Sequence, residues 1–156
     1  MNAAELQTAI QAQFPDLQPI PKVQGQVRGD ELYLAVPAEK LIEAGRFLRQ
    51  EPALSFDFLS FITSVDFKDR FEVVYYLLST RHHHKLVLKV NADHASPEVP
   101  TVTPVWPAAD WQEREIFDLM GIRFKGHYNL RRILLPDDWE GYPLRKDYAP
   151  KADRYD

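Results

Sequence analysis

The sequence has 156 residues, 45 % of them hydrophobic and 27 % charged, a balance that suits one globular domain with a real core. It contains no cysteine, which excludes disulfide frameworks, thiolate metal sites, iron–sulfur ligation and cysteine nucleophiles. A formal net charge of −4 argues against a nucleic-acid binder, because neutralising phosphates requires a basic surface.

No apolar run approaches the ~20 residues that cross a bilayer. Met1 to Phe14 lacks the basic start and apolar centre of a signal peptide. The expectation is a cytoplasmic protein, free or seated on a membrane-bound partner. Leu6, Ile10 and Phe14 recur at helical spacing, predicting a helix over 3–14 that Pro15 stops. Val23 to Val27 and Leu32 to Val36 are short strand candidates. The Arg28-Gly29-Asp30-Glu31 turn between them predicts a hairpin. Pro37 opens a second helix over 38–50, with Leu41, Ile42, Gly45 and Leu48 as its buried stripe. Three strands follow, Phe56 to Val65, Phe71 to Leu78 and Leu86 to Val90. Both alternating sets of the middle strand are mostly apolar, which predicts cover on both faces, whereas the third strand turns one face to solvent.

The order α-β-β-α-β-β-β, followed by a helix and an extended C-terminal tail, predicts an α+β two-layer sandwich. Four divisions are expected: an α+β core domain over 1–92, a Pro-rich extended arm over 93–107, a helix packed on the core over 108–121, and an extended partner-binding tail over 122–156. Pro97, Pro100, Pro104 and Pro107 stiffen the arm, which is expected to lead out of the domain.

Two clusters of charged groups could carry chemistry. His82, His83 and His84 alternate along a strand, so only His82 and His84 share a side, and Arg81 and Lys85 repel a cation; the reading is a polar turn. Glu113, Arg114, Glu115 and Asp118 lie on the last helix, with Glu115 and Asp118 sharing a face and Arg114 one turn from Asp118. They read as a structural ion network, with Asp110 and Glu113 as a capping box and Gly121 as the C-terminal cap. Ile116, Leu119 and Met120 form its buried stripe. No phosphate loop, nucleophile elbow or dinucleotide fingerprint is present. In the tail, Arg123, Lys125, Arg131, Arg132, Arg145 and Lys146 alternate with Asp137, Asp138, Glu140 and Asp147. Mixed signs suit a protein partner, with Trp139, Tyr142 and Tyr148 as aromatic contacts. Arg145 and Asp147 are expected to face that partner, so that losing either weakens assembly and leaves the isolated domain intact.

Glu113-Arg114-Glu115-Ile116-Phe117-Asp118-Leu119-Met120, then His127, Arg131 and Ile133-Leu134, resembles the signature of the C subunit of the proton-pumping NADH:quinone oxidoreductase, respiratory complex I. Arg70 to Tyr75, Trp106 to Trp111 and Pro136 to Tyr148 share the resemblance. Tyr128 and Ala149 stand where that family usually has proline. The resemblance implies a non-catalytic subunit of the peripheral arm, in the Q-module on the cytoplasmic side of the membrane, packed beside the D subunit and near the B subunit of complex I. FMN, iron–sulfur clusters and quinone are then expected on partner subunits and none in this chain. Its signature and interface residues would be Glu113, Arg114, Glu115, Asp118, Gly121, His127, Arg131, Arg132, Asp138, Trp139, Gly141, Pro143, Leu144, Arg145, Lys146, Asp147 and Tyr148. Alternatives are the equivalent subunit of a ferredoxin-, deazaflavin- or hydrogen-linked complex, or a stand-alone metal-dependent hydrolase.

Overall fold

The structure, a computed structural model, describes residues 1–21 and 31–151; the expected strand Val23 to Val27 and the turn at Arg28 to Asp30 lie outside them. Helix α1 (Ala3–Gln13) begins with a capping box, Asn2 Oδ1 accepting from Glu5 N and Glu5 Oε2 from Asn2 N. Strands β1 (Gln18–Pro19) and β2 (Leu32–Ala35) follow. A 3-10 turn over Ala38–Lys40, set up by Pro37, runs into α2 (Leu41–Gln50). Next come β3 (Phe58–Asp66), β4 (Arg70–Leu78) and β5 (Lys85–Asp93), and then β6 (Glu98–Pro100), α3 (Ala109–Met120) and β7 (Arg123–Lys125). The α+β class is as the sequence predicts.

The five-stranded sheet runs β1-β2-β5-β4-β3. β3, β4 and β5 form an antiparallel meander, while β2 lies parallel to β5, with Leu34 opposite Leu88. Leu6 and Ile10 of α1, Leu41 and Leu48 of α2, and Leu34, Tyr75, Leu77, Leu86 and Leu88 of the sheet belong to one core. In α2 the buried stripe is Leu41, Ala44, Gly45 and Leu48, with Ile42 at its edge.

β4 departs from expectation. Phe71, Val73, Tyr75 and Leu77 are fully buried, but Val74, Tyr76 and Leu78 are only half-buried. The strand is interior because β5 and β3 flank it, and only one of its faces carries helices. Its apolar second face supplies cross-strand pairs such as Phe61 stacked on Tyr76. In β5, Val87 is buried among the polar positions of the open face.

Residues 93–107 do not lead outwards. β6 pairs in parallel with β7, and Val99, Val102, Val105 and Trp106 are buried in the common core. Trp106 Nε1 donates to the Phe56 carbonyl at 2.9 Å, and Arg49 of α2 donates to the Val105 carbonyl. A methyl group on Gly45 would sit 3.2 Å from the Trp106 ring, so the mid-helix glycine permits a close approach that alanine would crowd. Proline stiffens a chain without choosing its direction. The apolar residues between the prolines choose it here.

Replacing Trp106 by alanine removes this packing and leaves the Phe56 carbonyl without its donor. Urea denaturation should show a loss of about 3–5 kcal/mol; a change under ~0.5 kcal/mol is what a surface position would give.

Candidate functional site

Helix α3 carries both the signature charges and the contacts that hold the tail. Ala109, Glu113, Ile116 and Met120 are buried at helical spacing, and α3 packs against β3. β3 is an edge strand, and Gln112 Oε1 accepts from its Ile62 N–H at 2.6 Å.

The expected capping box is not formed. The N-cap is Ala108, without a side-chain cap, and Asp110 lies inside the first turn. Glu113 turns into the protein, where it is 0 % exposed. Its carboxylate accepts from Thr101 Oγ1 at 2.6 Å and Val102 N at 2.8 Å. Burial pushes its pKa up to about 7 against those two hydrogen bonds, with the charge of Asp110 adding to the rise. An inward-pointing carboxylate serves a neighbouring loop better than its own helix start.

Asp118 is also 0 % exposed, and it organises the tail. Its Oδ2 accepts from Ile133 N (3.0 Å), Leu134 N (2.7 Å) and Leu135 N (3.0 Å). Its Oδ1 takes Arg132 Nη1 at 2.9 Å. The same guanidinium reaches the carbonyls of Asp118 (2.7 Å), Trp139 (3.1 Å) and Gly141 (2.9 Å). Desolvation pulls the Asp118 carboxyl up, but Arg132 and the three amides outweigh it, leaving the group below the usual aspartate value. Arg114 contacts the tail backbone, donating from Nε to the Arg131 carbonyl at 3.3 Å, and lies over the Trp111 ring. The ion network therefore links helix to tail, and Glu115 is exposed outside it.

The C-terminal end of α3 binds the tail a second time. Gly121 caps the helix at φ 70°, a left-handed conformation that glycine adopts freely. Arg145 donates from Nε to the Met120 carbonyl at 2.5 Å and from Nη2 to the Gly121 carbonyl at 3.3 Å. A cation at the negative end of a helix is favourable. Its guanidinium also stacks over Phe71 and Tyr142. A Cβ at Gly121 would fall 2.5 Å from Arg145 Nη2 and 2.6 Å from Tyr142. Leu144 N donates to the Leu119 carbonyl, and Lys146 N to Asp66 Oδ2. Arg145, half-buried, is thus engaged with the end of its own chain's α3. The Lys146 and Asp147 side chains are exposed.

His127 sits at the root of the tail with its side chain enclosed, Nε2 being 2.9 Å from Asp110 Oδ1. Of the expected aromatic contacts, Trp139, Tyr142 and Tyr148 are half-buried, Tyr148 lying against Gly141. Pro143 is half-buried, while Arg131, Asp138 and Gly141 are exposed. On α3 and the segment after it, the large exposed apolar groups are Trp111 (65 %), Tyr128 (76 %), Leu134 (62 %) and Leu144 (60 %). Sequence reasoning did not count Trp111 and Tyr128 among the aromatic contacts. Trp111 lies two residues, ~200°, round the helix from Glu113, so a tryptophan on the face opposite the buried stripe was the available signal. His82 Nε2 lies 2.8 Å from the Pro52 carbonyl, and its ring stacks on the buried His84. Among the described residues no group of three or more His, Cys, Asp or Glu could hold a metal ion.

The same α+β fold occurs in two solved structures: Nqo5 as a trypsin-resistant fragment (1-134), at TM-score 0.65 and 27 % identity over 83 % of this chain and 100 % of that one, and a chain of the archaeal membrane-bound sulfane sulfur reductase, a respiratory membrane complex, at TM-score 0.76 and 29 % identity over 98 % and 94 %. The chain belongs to the respiratory-chain NADH dehydrogenase 30 Kd subunit family, whose sequence profile matches residues 34–154. It is 48 % identical over 125 residues to the NADH-quinone oxidoreductase C subunit of Roseiflexus sp. (strain RS-1), 78 % of this chain and 71 % of that one. With the corresponding C subunit of Moorella thermoacetica it shares 45 % over 141 residues, 89 % and 90 % of the two chains.

Two substitutions test the clasp. Asp118→Ala strands Arg132 and three amides and should cost about 3–5 kcal/mol, with faster tryptic cleavage after Arg131 and Arg132. The Asp118 contribution is present above the unfolded aspartate value of about 3.9 and is lost as pH falls through the lower folded one, so acid melts of the wild type should fall more steeply than those of the variant. Gly121→Ala should cost about 2–4 kcal/mol, measured by the same melts.

Proposed function

We propose that this chain is a non-catalytic structural subunit of the peripheral arm of a proton-translocating NADH:quinone oxidoreductase, placed in the Q-module. It docks on the D subunit of that complex and lies near the B subunit. FMN, iron–sulfur clusters and quinone belong to partner subunits, and the chain meets the membrane through those partners, on its cytoplasmic side. Among the described residues no helix is long and apolar enough to cross a membrane.

One observation carries the docking role. Trp111 and Tyr128 are exposed beside one another's supports: Tyr128 OH donates to Asp110, the neighbour of Trp111, and Arg114 bridges the Trp111 ring to the tail backbone. Aromatic groups held by internal polar contacts are pre-ordered, so a partner that covers them gains apolar burial without ordering them. Glu115 and Arg131, exposed nearby, supply charges of both signs for its rim.

The likeness to the sulfane sulfur reductase chain supports a second reading, the equivalent subunit of a related membrane complex with a different electron input. The stronger sequence identity to the NADH-quinone oxidoreductase chains favours the NADH type. The proteins that co-purify with a tagged chain separate the two.

Trp111→Ala with Tyr128→Ala should weaken co-purification of the D subunit at least ~30-fold, as the loss of two aromatic contacts worth about 2 kcal/mol or more implies, while the isolated chain keeps its Tm. Retention of the D subunit by the double variant would refute this docking face. The isolated chain should show no NADH oxidation or quinone reduction in a spectrophotometric assay; turnover without partners would refute the non-catalytic role.

A further inference from the structure

The buried half of α3 holds a second cluster, separate from the contacts that clasp the tail. Glu113 lies between the turn at Thr101 to Thr103, strand β4 and the His127 loop. From the turn it receives Thr101 Oγ1 at 2.6 Å and Val102 N at 2.8 Å, and Thr101 Oγ1 is in turn 2.9 Å from Thr103 Oγ1. From β4 it faces Tyr75, whose buried hydroxyl has no hydrogen-bond partner among the described residues. From its own helix it faces Asp110, and from the loop His127, with Nε2 4.0 Å from Glu113 Oε2. Tyr128 joins through its bond to Asp110.

The tautomer of His127 is fixed by its neighbours. Asn129 N donates to Nδ1 at 3.0 Å, so the proton of the neutral ring is on Nε2, where it is directed at the Asp110 carbonyl 3.2 Å away. The His127 proton is therefore committed to Asp110. Among the described residues no lysine or arginine forms a salt bridge with Glu113. An ionised Glu113 in this enclosed site has two neutral donors and a neighbouring aspartate whose charge opposes its own.

We propose that Glu113 is a proton-operated latch: protonated, it closes the seam between α3, the Thr101 to Thr103 turn and the His127 loop, and its ionisation opens that seam and loosens the root of the tail. Within the closed seam either protonation state can form a hydrogen-bond chain, and only the ionised one leaves an uncompensated buried charge. When Glu113 is ionised, Thr101 donates to Oε2. When it is protonated, Oε2–H donates to Thr101 Oγ1, and Thr101 turns its own hydrogen to Thr103. The proton exchanges with solvent when the seam opens.

The sign follows from burial, which lifts the folded Glu113 to about 7 against about 4.3 for an exposed glutamate. Between those values the closed state holds a proton that the open state has released. Raising pH through that window therefore favours opening, and above it the added stability is gone.

Hydrogen exchange on the full chain, corrected for intrinsic rates, tests the latch. Wild-type amides over 126–132 should lose protection roughly 10- to 30-fold between pH 5.5 and 8. Glu113→Gln should abolish that dependence, and His127→Gln should preserve it. The proposal fails if Glu113→Gln keeps the wild-type dependence or if His127→Gln removes it. Should either variant not fold, the carbon-13 carboxyl titration of Glu113 in the wild type decides: a midpoint near neutral supports the latch, and one below pH 5 overturns it.

Discussion

The first part of the tail is fixed by one buried carboxylate. Three consecutive amides of residues 133–135 converge on Asp118 Oδ2 while Arg132 fills Oδ1. A desolvated charge is tolerated only when its lone pairs are met, and here the tail backbone meets them. This gives a segment with few apolar residues a fixed path. Arg132 extends the constraint, because its guanidinium also collects the carbonyls of Trp139 and Gly141 and so gathers residues nine positions apart in the chain around one planar group.

The signature charges fall into two sets once burial is considered. Glu113, Arg114, Asp118, Arg132 and Arg145 point inward or onto backbone, while Glu115, Arg131, Lys146 and Asp147 stay in solvent. The inward set replaces the hydrophobic core that the tail lacks, and geometric constraint on such bidentate and multi-acceptor arginines is tight. The outward set and the aromatic pair Trp111 and Tyr128 occupy the surface that this inner framework stabilises.

Local features were legible in the sequence because they depend on neighbours in the chain. The α1 and α2 periodicities, the three long strands and the Gly121 cap all follow from short-range rules. What escaped depended on distant residues. The parallel pairing of β2 with β5 has no local signal. Asp110 and Glu113 have capping-box spacing, yet Thr101 and Val102, brought in by the β6–β7 pairing, compete for the Glu113 carboxylate and win it. The prolines of residues 93–107 advertised extended backbone, while Trp106 and three valines set its destination. The contact of Arg145 with the end of α3 has no local signal either, since 25 residues separate it from Met120.

These contacts make α3 the common support of three things: the edge of β3, the turn at 101–103 and the tail. Gln112 satisfies the strand, Glu113 the turn, and Asp118 with Gly121 the tail, all within ten residues of one helix. A helix cannot move one of these side chains without moving the others, since its backbone hydrogen bonds fix their relative positions to within the rotamer freedom of each. Trp111 and Tyr128 are tied to the same helix through Arg114 and Asp110. The position of the exposed aromatic patch is consequently set by the buried polar groups beneath it, and a change in how Asp118 or Glu113 is satisfied reaches the surface through α3.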